Sequence, residues 1–188
     1  MSSEITEILA QILHGNHNKA LILLDQSDLK ANDIQHFFDK LPNNVSEEIV
    51  KKLIIKGGDI NKNNDRGTSP LTHALIYNKL ELAKIFIKNG ADINIINSAR
   101  ENLLHWLPDN VDEEFMQLLK QYNFGIAAKI NIENSHHANP VKIADETGRY
   151  ATAKLLRQYG GIYNAPIKTK PPLTDEQKDN TLSVVPNF

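Results

Sequence analysis

The stretch Asn64-Asp65-Arg66-Gly67-Thr68-Ser69-Pro70-Leu71-Thr72-His73-Ala74-Leu75 opens on turn-forming residues and closes as a helix. Ser69 carries a side-chain oxygen suited to the free N–H groups at a helix start, and Pro70 suits the first helical position, where a missing N–H costs nothing. Leu71, Ala74 and Leu75 then fall at i, i+3 and i+4, one apolar stripe. A second stripe, Leu82, Ile85 and Phe86, predicts a second helix that stops at Gly90, the residue best able to take the left-handed conformation after a helix end. Asp92-Ile93-Asn94 leads into the next turn.

Working outward, the unit repeats. Lys56-Gly57-Gly58-Asp59-Ile60-Asn61 and Asn89-Gly90-Ala91-Asp92-Ile93-Asn94 stand 33 residues apart. Leu41-Pro42-Asn43-Asn44-Val45-Ser46-Glu47-Glu48-Ile49 returns as Leu107-Pro108-Asp109-Asn110-Val111-Asp112-Glu113-Glu114-Phe115 after 66, twice that period. Shifting forward by 33 predicts a fourth unit whose first helix holds Asn102 to Leu107 and whose second holds Phe115, Leu118 and Leu119, with Asn123 in the place of Gly90. Shifting back predicts a second unit with Phe37, Phe38 and Leu41 on its first helix and Ile49, Val50 and Leu53 on its second. A fifth begins at Asn139-Pro140-Val141 and ends at Gly160, which lies 37 residues beyond Asn123, so four extra residues are expected in an exposed turn within 126–138. Glu4 to His14 and Ala20 to Leu24 read as two short helices that cap the stack.

The turn Gly followed by Ser69-Pro70-Leu71 and the 33-residue period resemble the ankyrin repeat. The resemblance implies an all-α solenoid of stacked helix-turn-helix units joined by short β-turn or hairpin connections. It covers residues 1–165, as repeats at about 3–29, 30–62, 63–95, 96–132 and 133–165. Residues 166–188, with Pro166, Pro171, Pro172 and Pro186 in a polar run, are expected to form an extended or mobile tail, whose more apolar end, Thr181 to Phe188, has the option of docking on the last helix pair.

Composition narrows the function. Of 188 residues, 21 are Lys or Arg and 23 are Asp or Glu, so no basic field is available for a phosphate backbone, and nucleic acid is not the expected partner. The absence of Cys removes disulfides, thiolate nucleophiles and Cys-type zinc sites. Met1-Ser2-Ser3-Glu4-Ile5 lacks a secretory pattern and no apolar run approaches about 18 residues, which predicts a cytoplasmic chain without membrane contact. No phosphate-binding Gly loop, His-Glu-x-x-His or Gly-x-Ser-x-Gly occurs, so no catalytic, cofactor or metal residues are assigned and an enzyme is not expected. His105 matches the ankyrin signature His, for which the resemblance implies a structural role. The adjacent pair His136-His137 reads as a solvated loop. Glu47-Glu48 and Glu113-Glu114 read as first-turn acids that complement the helix dipole. Trp106, aligned with His73, is expected to be partly buried.

A stack of helix pairs presents a long surface made of turn tips and first helices, and its natural use is binding. The ankyrin resemblance implies a protein-interaction module, an adaptor or inhibitor, with contacts at Asp65, Arg66, Thr68, Ile76 and Tyr77; Ser98, Ala99, Glu101, Asp109 and Asn110; and Ser135, His136, Ala138, Glu146 and Thr147. Asn32, Asp33, Gln35, Asn43 and Asn44 are the second repeat's counterparts, and His73 and Trp106 lie on the same face. Arg66 and Tyr77 are the expected energetic anchors. The acids in this set predict a protein partner with basic character. A monomer is expected, since the first unit and the tail can each cover an end of the stack. A bacterial effector secreted into a host cell is an alternative. Asn61 and Asn94 also resemble the ankyrin asparagines that are hydroxylated in animal cells, although a turn-stabilising role explains both.

Overall fold

The computed structural model describes residues 3–64 and 67–163. Ten α-helices lie within them: α1 (Ser3–Leu13), α2 (His17–Gln26), α3 (Ala31–Phe38), α4 (Glu47–Ile55), α5 (Pro70–Ile76), α6 (Leu80–Lys88), α7 (Glu113–Gln121), α8 (Ile126–Lys129), α9 (Pro140–Glu146) and α10 (Tyr150–Gln158). A single 3-10 helix spans Leu103–Trp106, and no strand is present among the described residues. The helices stack as antiparallel pairs, α1 on α2, α5 on α6 and α9 on α10, and successive pairs touch through α2 and α4, α4 and α6, and the 3-10 helix with α5 and α9. One continuous apolar core runs through the stack, from Ile5 and Ile8 through Phe38, Phe86 and Phe115 to Leu156. Phe38 meets Phe86 edge to face across two units, with centroids 5.9 Å apart.

Local chemistry behaves as the sequence predicts at α5. Ser69 accepts from the Thr72 N–H and Pro70 opens the helix. Gly57, Gly90, Asn123 and Gly160 all take positive φ after the second helices, so Asn123 does stand in for Gly90. The turns between units share one device. Asn64, Asn97 and Asn134 each accept through Oδ1 from the residue four ahead, namely Thr68, Glu101 and Ala138. Each also donates its own N–H to that residue's carbonyl, closing a hairpin-like loop.

Three expectations need correction. The first helix of the fourth unit is only the four-residue 3-10 turn. Pro108 is the reason: it disfavours helical geometry at the preceding Leu107, which is extended (φ −57°, ψ 128°), and it supplies no N–H to continue the helix. Leu41 is buried, but it lies beyond α3 in the loop to α4, beside Pro42. The four extra residues form a short helix, α8, rather than a turn: Ala127 and Ala128 are exposed as expected, while Ile126 is buried in the core. The proposed tail, 166–188, lies outside the described residues.

The 66-residue echo proves to be a clamp between neighbouring units. In both copies the Val N–H closes a turn onto the Pro carbonyl, Val45 to Pro42 and Val111 to Pro108. The residue after Pro caps the second helix of the following unit: Asn43 Oδ1 accepts from the Glu81 and Leu82 N–H groups at 2.9 and 3.2 Å, and Asp109 Oδ1 accepts from Ala151 at 3.1 Å. The residue before each of these helices returns a cation to the loop. Lys79 Nζ donates to the Leu41 carbonyl at 2.7 Å, and an Arg149 guanidinium nitrogen donates to the Leu107 carbonyl at 2.6 Å.

Candidate functional site

Two adjoining hollows open on the face formed by the first helices and the turn tips. One, of about 430 Å³, is walled by Leu75, Ile76, Trp106, Pro108 and Ile143, with Glu101, Asp109 and Arg149 as its charged lining. The other, of about 540 Å³, runs from Thr68 and Thr72 past Ile95 and Ile96 to Ser98. Ile76, Glu101 and Trp106 border both. Ile76 is 54% exposed and Ile96 60%, so the rim of these hollows carries apolar surface that the core does not cover. Tyr77, 52% exposed, stacks obliquely on His73 with ring centroids 4.4 Å apart.

Glu101 organises the centre. Its Oε2 accepts from Trp106 Nε1 at 3.0 Å and Asn97 Nδ2 at 2.9 Å, and its Oε1 accepts from Asn134 Nδ2 at 3.1 Å. Burial pushes its pKa up, but the three hydrogen bonds outweigh burial and hold the carboxyl below its ordinary range, so it is ionised at neutral pH. Trp106 is half-buried and held by that carboxylate. His105 lies buried beneath, its Nδ1 accepting from the Asn102 N–H at 3.1 Å. Burial lowers its pKa, against the opposing pull of the Asn102 backbone and the Glu101 charge, and the ring is neutral. Arg149 lies beside the same cluster; burial lowers its pKa while the Asp109 and Glu101 charges oppose that shift.

Of the contact residues expected from the sequence, Thr68, Ile76, Ser98, Glu101, Trp106 and Asp109 are brought together around the two hollows. Asp109 also caps α10, a structural duty the sequence reading does not assign to it. Asn110, Ser135, His136 and Glu146 are exposed but do not line either hollow. Ser135 is tied through its N–H to the Ala99 carbonyl at 2.8 Å, and Glu146 accepts from Tyr163. Asp65 and Arg66 lie outside the described residues. Sequence reasoning misses Ile143, Arg149, Ile96 and the two amides on Glu101. The amides carry a signal in the spacing of Asn64, Asn97 and Asn134, which follows the repeat.

Asn61 shows a structural role: it donates to the Gly90 carbonyl at 3.2 Å and accepts from the Asp92 N–H at 2.7 Å. Asn131 makes the same two bonds to Gly160 and Ile162. Asn94, facing the inserted α8, takes the Lys129 ammonium instead.

A family profile described as ankyrin repeats (3 copies) matches residues 41–107. Residues 41–107 thus carry ankyrin repeats. It is similar over 88 residues, at 26% identity, to the potassium channel AKT1 of Arabidopsis thaliana, covering 47% of this chain and 10% of the channel. It is 36% identical over 73 residues to the ankyrin repeat protein FPV222 of fowlpox virus, covering 39% of this chain and 10% of that protein. It is 48% identical over 50 residues to an ankyrin repeat protein of Rickettsia bellii, covering 27% of this chain and 30% of that protein. The matches thus span less than a third of each of these relatives. Ankyrin repeats are in general protein–protein interaction modules without enzymatic activity. Among the described residues, no helix is long and apolar enough to cross a membrane.

Proposed function

We propose that this ankyrin-repeat stack binds a partner protein through the face around Ile76, Glu101 and Trp106, as an adaptor or inhibitor. The observation that carries this reading is the exposed apolar rim, Ile76 and Ile96, set beside a half-buried Trp106 and an ionised Glu101. An apolar centre bordered by polar groups is how protein-binding surfaces are built. Glu101 and Asp109 favour a partner of basic character.

The test is affinity capture followed by mass spectrometry, comparing the wild type with Ile76→Ala plus Tyr77→Ala and with Ile55→Ala, which alters an exposed residue on α4. A partner retained by Ile55→Ala and lost by the double variant supports the reading; equal retention by both sinks it. Binding to that partner is expected to weaken as salt is raised, because ions screen a contact between acids and a basic surface. Strengthening with salt contradicts the basic partner.

A further inference from the structure

The Glu101 carboxylate is held ready for a charge that no described residue brings to it by hydrogen bond. Among the described residues its three partners are neutral, an indole and two amides. A carboxylate offers about four lone-pair directions, so Oε2, with two donors, is full and Oε1, with one, keeps a single direction. The amides cannot turn round to fill it. Asn97 Oδ1 is held by the Ala99 and Glu101 N–H groups, and Asn134 Oδ1 by those of His136 and Ala138, which leaves each NH2 aimed at Glu101. Arg149, the cation lining the same hollow, donates to the Leu107 and His105 carbonyls and to Thr147, and none of these bonds reaches Glu101. With Asp109, the lining carries two carboxylates against one guanidinium.

The walls are apolar. Ile76, Ile143 and Pro108 line a slot beside the Trp106 indole, a setting for a flexible hydrocarbon shaft that ends in a positive charge. Building on the protein-binding reading, we propose that the 430 Å³ hollow receives one lysine side chain of the partner, its shaft along Ile76 and Ile143 and its ammonium on the open Oε1 direction of Glu101. An arginine fork calls for two parallel acceptors, one on each carboxylate oxygen, and Oε2 has none left. An ammonium is a point charge and is satisfied by one. A plain aliphatic side chain would cover the ionised Glu101 without pairing it, which is costly.

Trp106 is the only tryptophan, so its indole N–H gives a single resonance, held on the Glu101 carboxylate at the wall of this hollow. The experiment titrates the isotopically labelled full chain with N-acetyl-lysine methylamide, and separately with its arginine and norleucine counterparts. The expected result is a saturable shift of the indole signal, with lysine binding about fivefold tighter than either comparator. That preference is expected to vanish in Glu101→Gln. Norleucine matching lysine, arginine binding tighter, or no movement of the indole signal with any of the three overturns the lysine pocket. The comparison among ligands is made on the wild type, so a misfolded Glu101→Gln does not shelter the proposal. If the pocket fails while partner capture still depends on Ile76 and Tyr77, protein binding stands and only the lysine assignment falls.

Discussion

Gly90 and Gly161 would each answer differently to a single added methyl group. Gly90 has φ +91° and open space where a Cβ would sit, so Gly90→Ala meets only backbone strain, an expected loss of about 1 kcal/mol. A Cβ on Gly161 would stand 2.4 Å from Val141 Cγ2 and 3.0 Å from the Leu156 carbonyl oxygen, so α9 has to move away from the end of α10. Gly161→Ala is expected to cost about 2–3 kcal/mol, as overpacking does. Urea unfolding of both variants checks the order. His105 supplies a residue-scale prediction in pH. Burial lowers its pKa beneath 6.5, so below that pH the unfolded chain takes up a proton that the folded ring resists. Its stabilising share is therefore complete above 6.5 and falls away as pH drops toward the folded value. The melting-temperature gap between wild type and His105→Gln is expected to be wider at about pH 7.5 than at about pH 5; an unchanged gap contradicts a neutral buried ring.

At the scale of elements, the loops after α3 and after the 3-10 helix do the same work 66 residues apart. Removing either cap should weaken the helix of the following unit: Asn43→Ala at α6 and Asp109→Ala at α10 are each expected to cost about 1 kcal/mol. Their effects should add in the double variant, because the two clamps share no partner. Denaturant midpoints of the two single variants and the double test this, and a double cost well short of the sum argues against independent clamps. The same loops show where sequence reading reaches its limit. Ser69, Pro70, Gly90 and Asn123 are readable because each acts on backbone groups within a few residues of itself. Leu-Pro-Asn and Leu-Pro-Asp are readable as a repeat, yet their purpose depends on Glu81 and Ala151, about 40 residues downstream. Likewise Glu101 can be named as a contact from alignment, while its role as a hub waits on Asn134, 33 residues away in sequence. Ile143 and Arg149 join the site only through stacking of one unit on the next.

Across the whole molecule, cohesion comes from contacts between neighbours, as expected of a stack in which each unit touches only the next. The third and fourth units are joined by a buried cation. Lys84, 4% exposed on α6, lies 2.6 Å from Glu114, 3.0 Å from Glu81 and 3.2 Å from Asp112, the N-cap of α7. Burial alone would lower its pKa, but the three carboxylates prevail and raise it, so the ammonium stays charged. Asn61 ties the turn after the second unit to the turn after the third. Weakening both links, in Lys84→Met plus Asn61→Ala, keeps most of the apolar packing and the Asn43 clamp while removing two of the polar links around the middle unit. The wild type is expected to unfold in urea as one transition. The double variant is expected to unfold over a wider range, with a smaller dependence on denaturant, as the first two units and the last two begin to melt separately. A midpoint shifted down with the same slope would mean that the apolar core, from Phe38 through Phe86 to Phe115, together with the loop clamps suffices to make the stack cooperative.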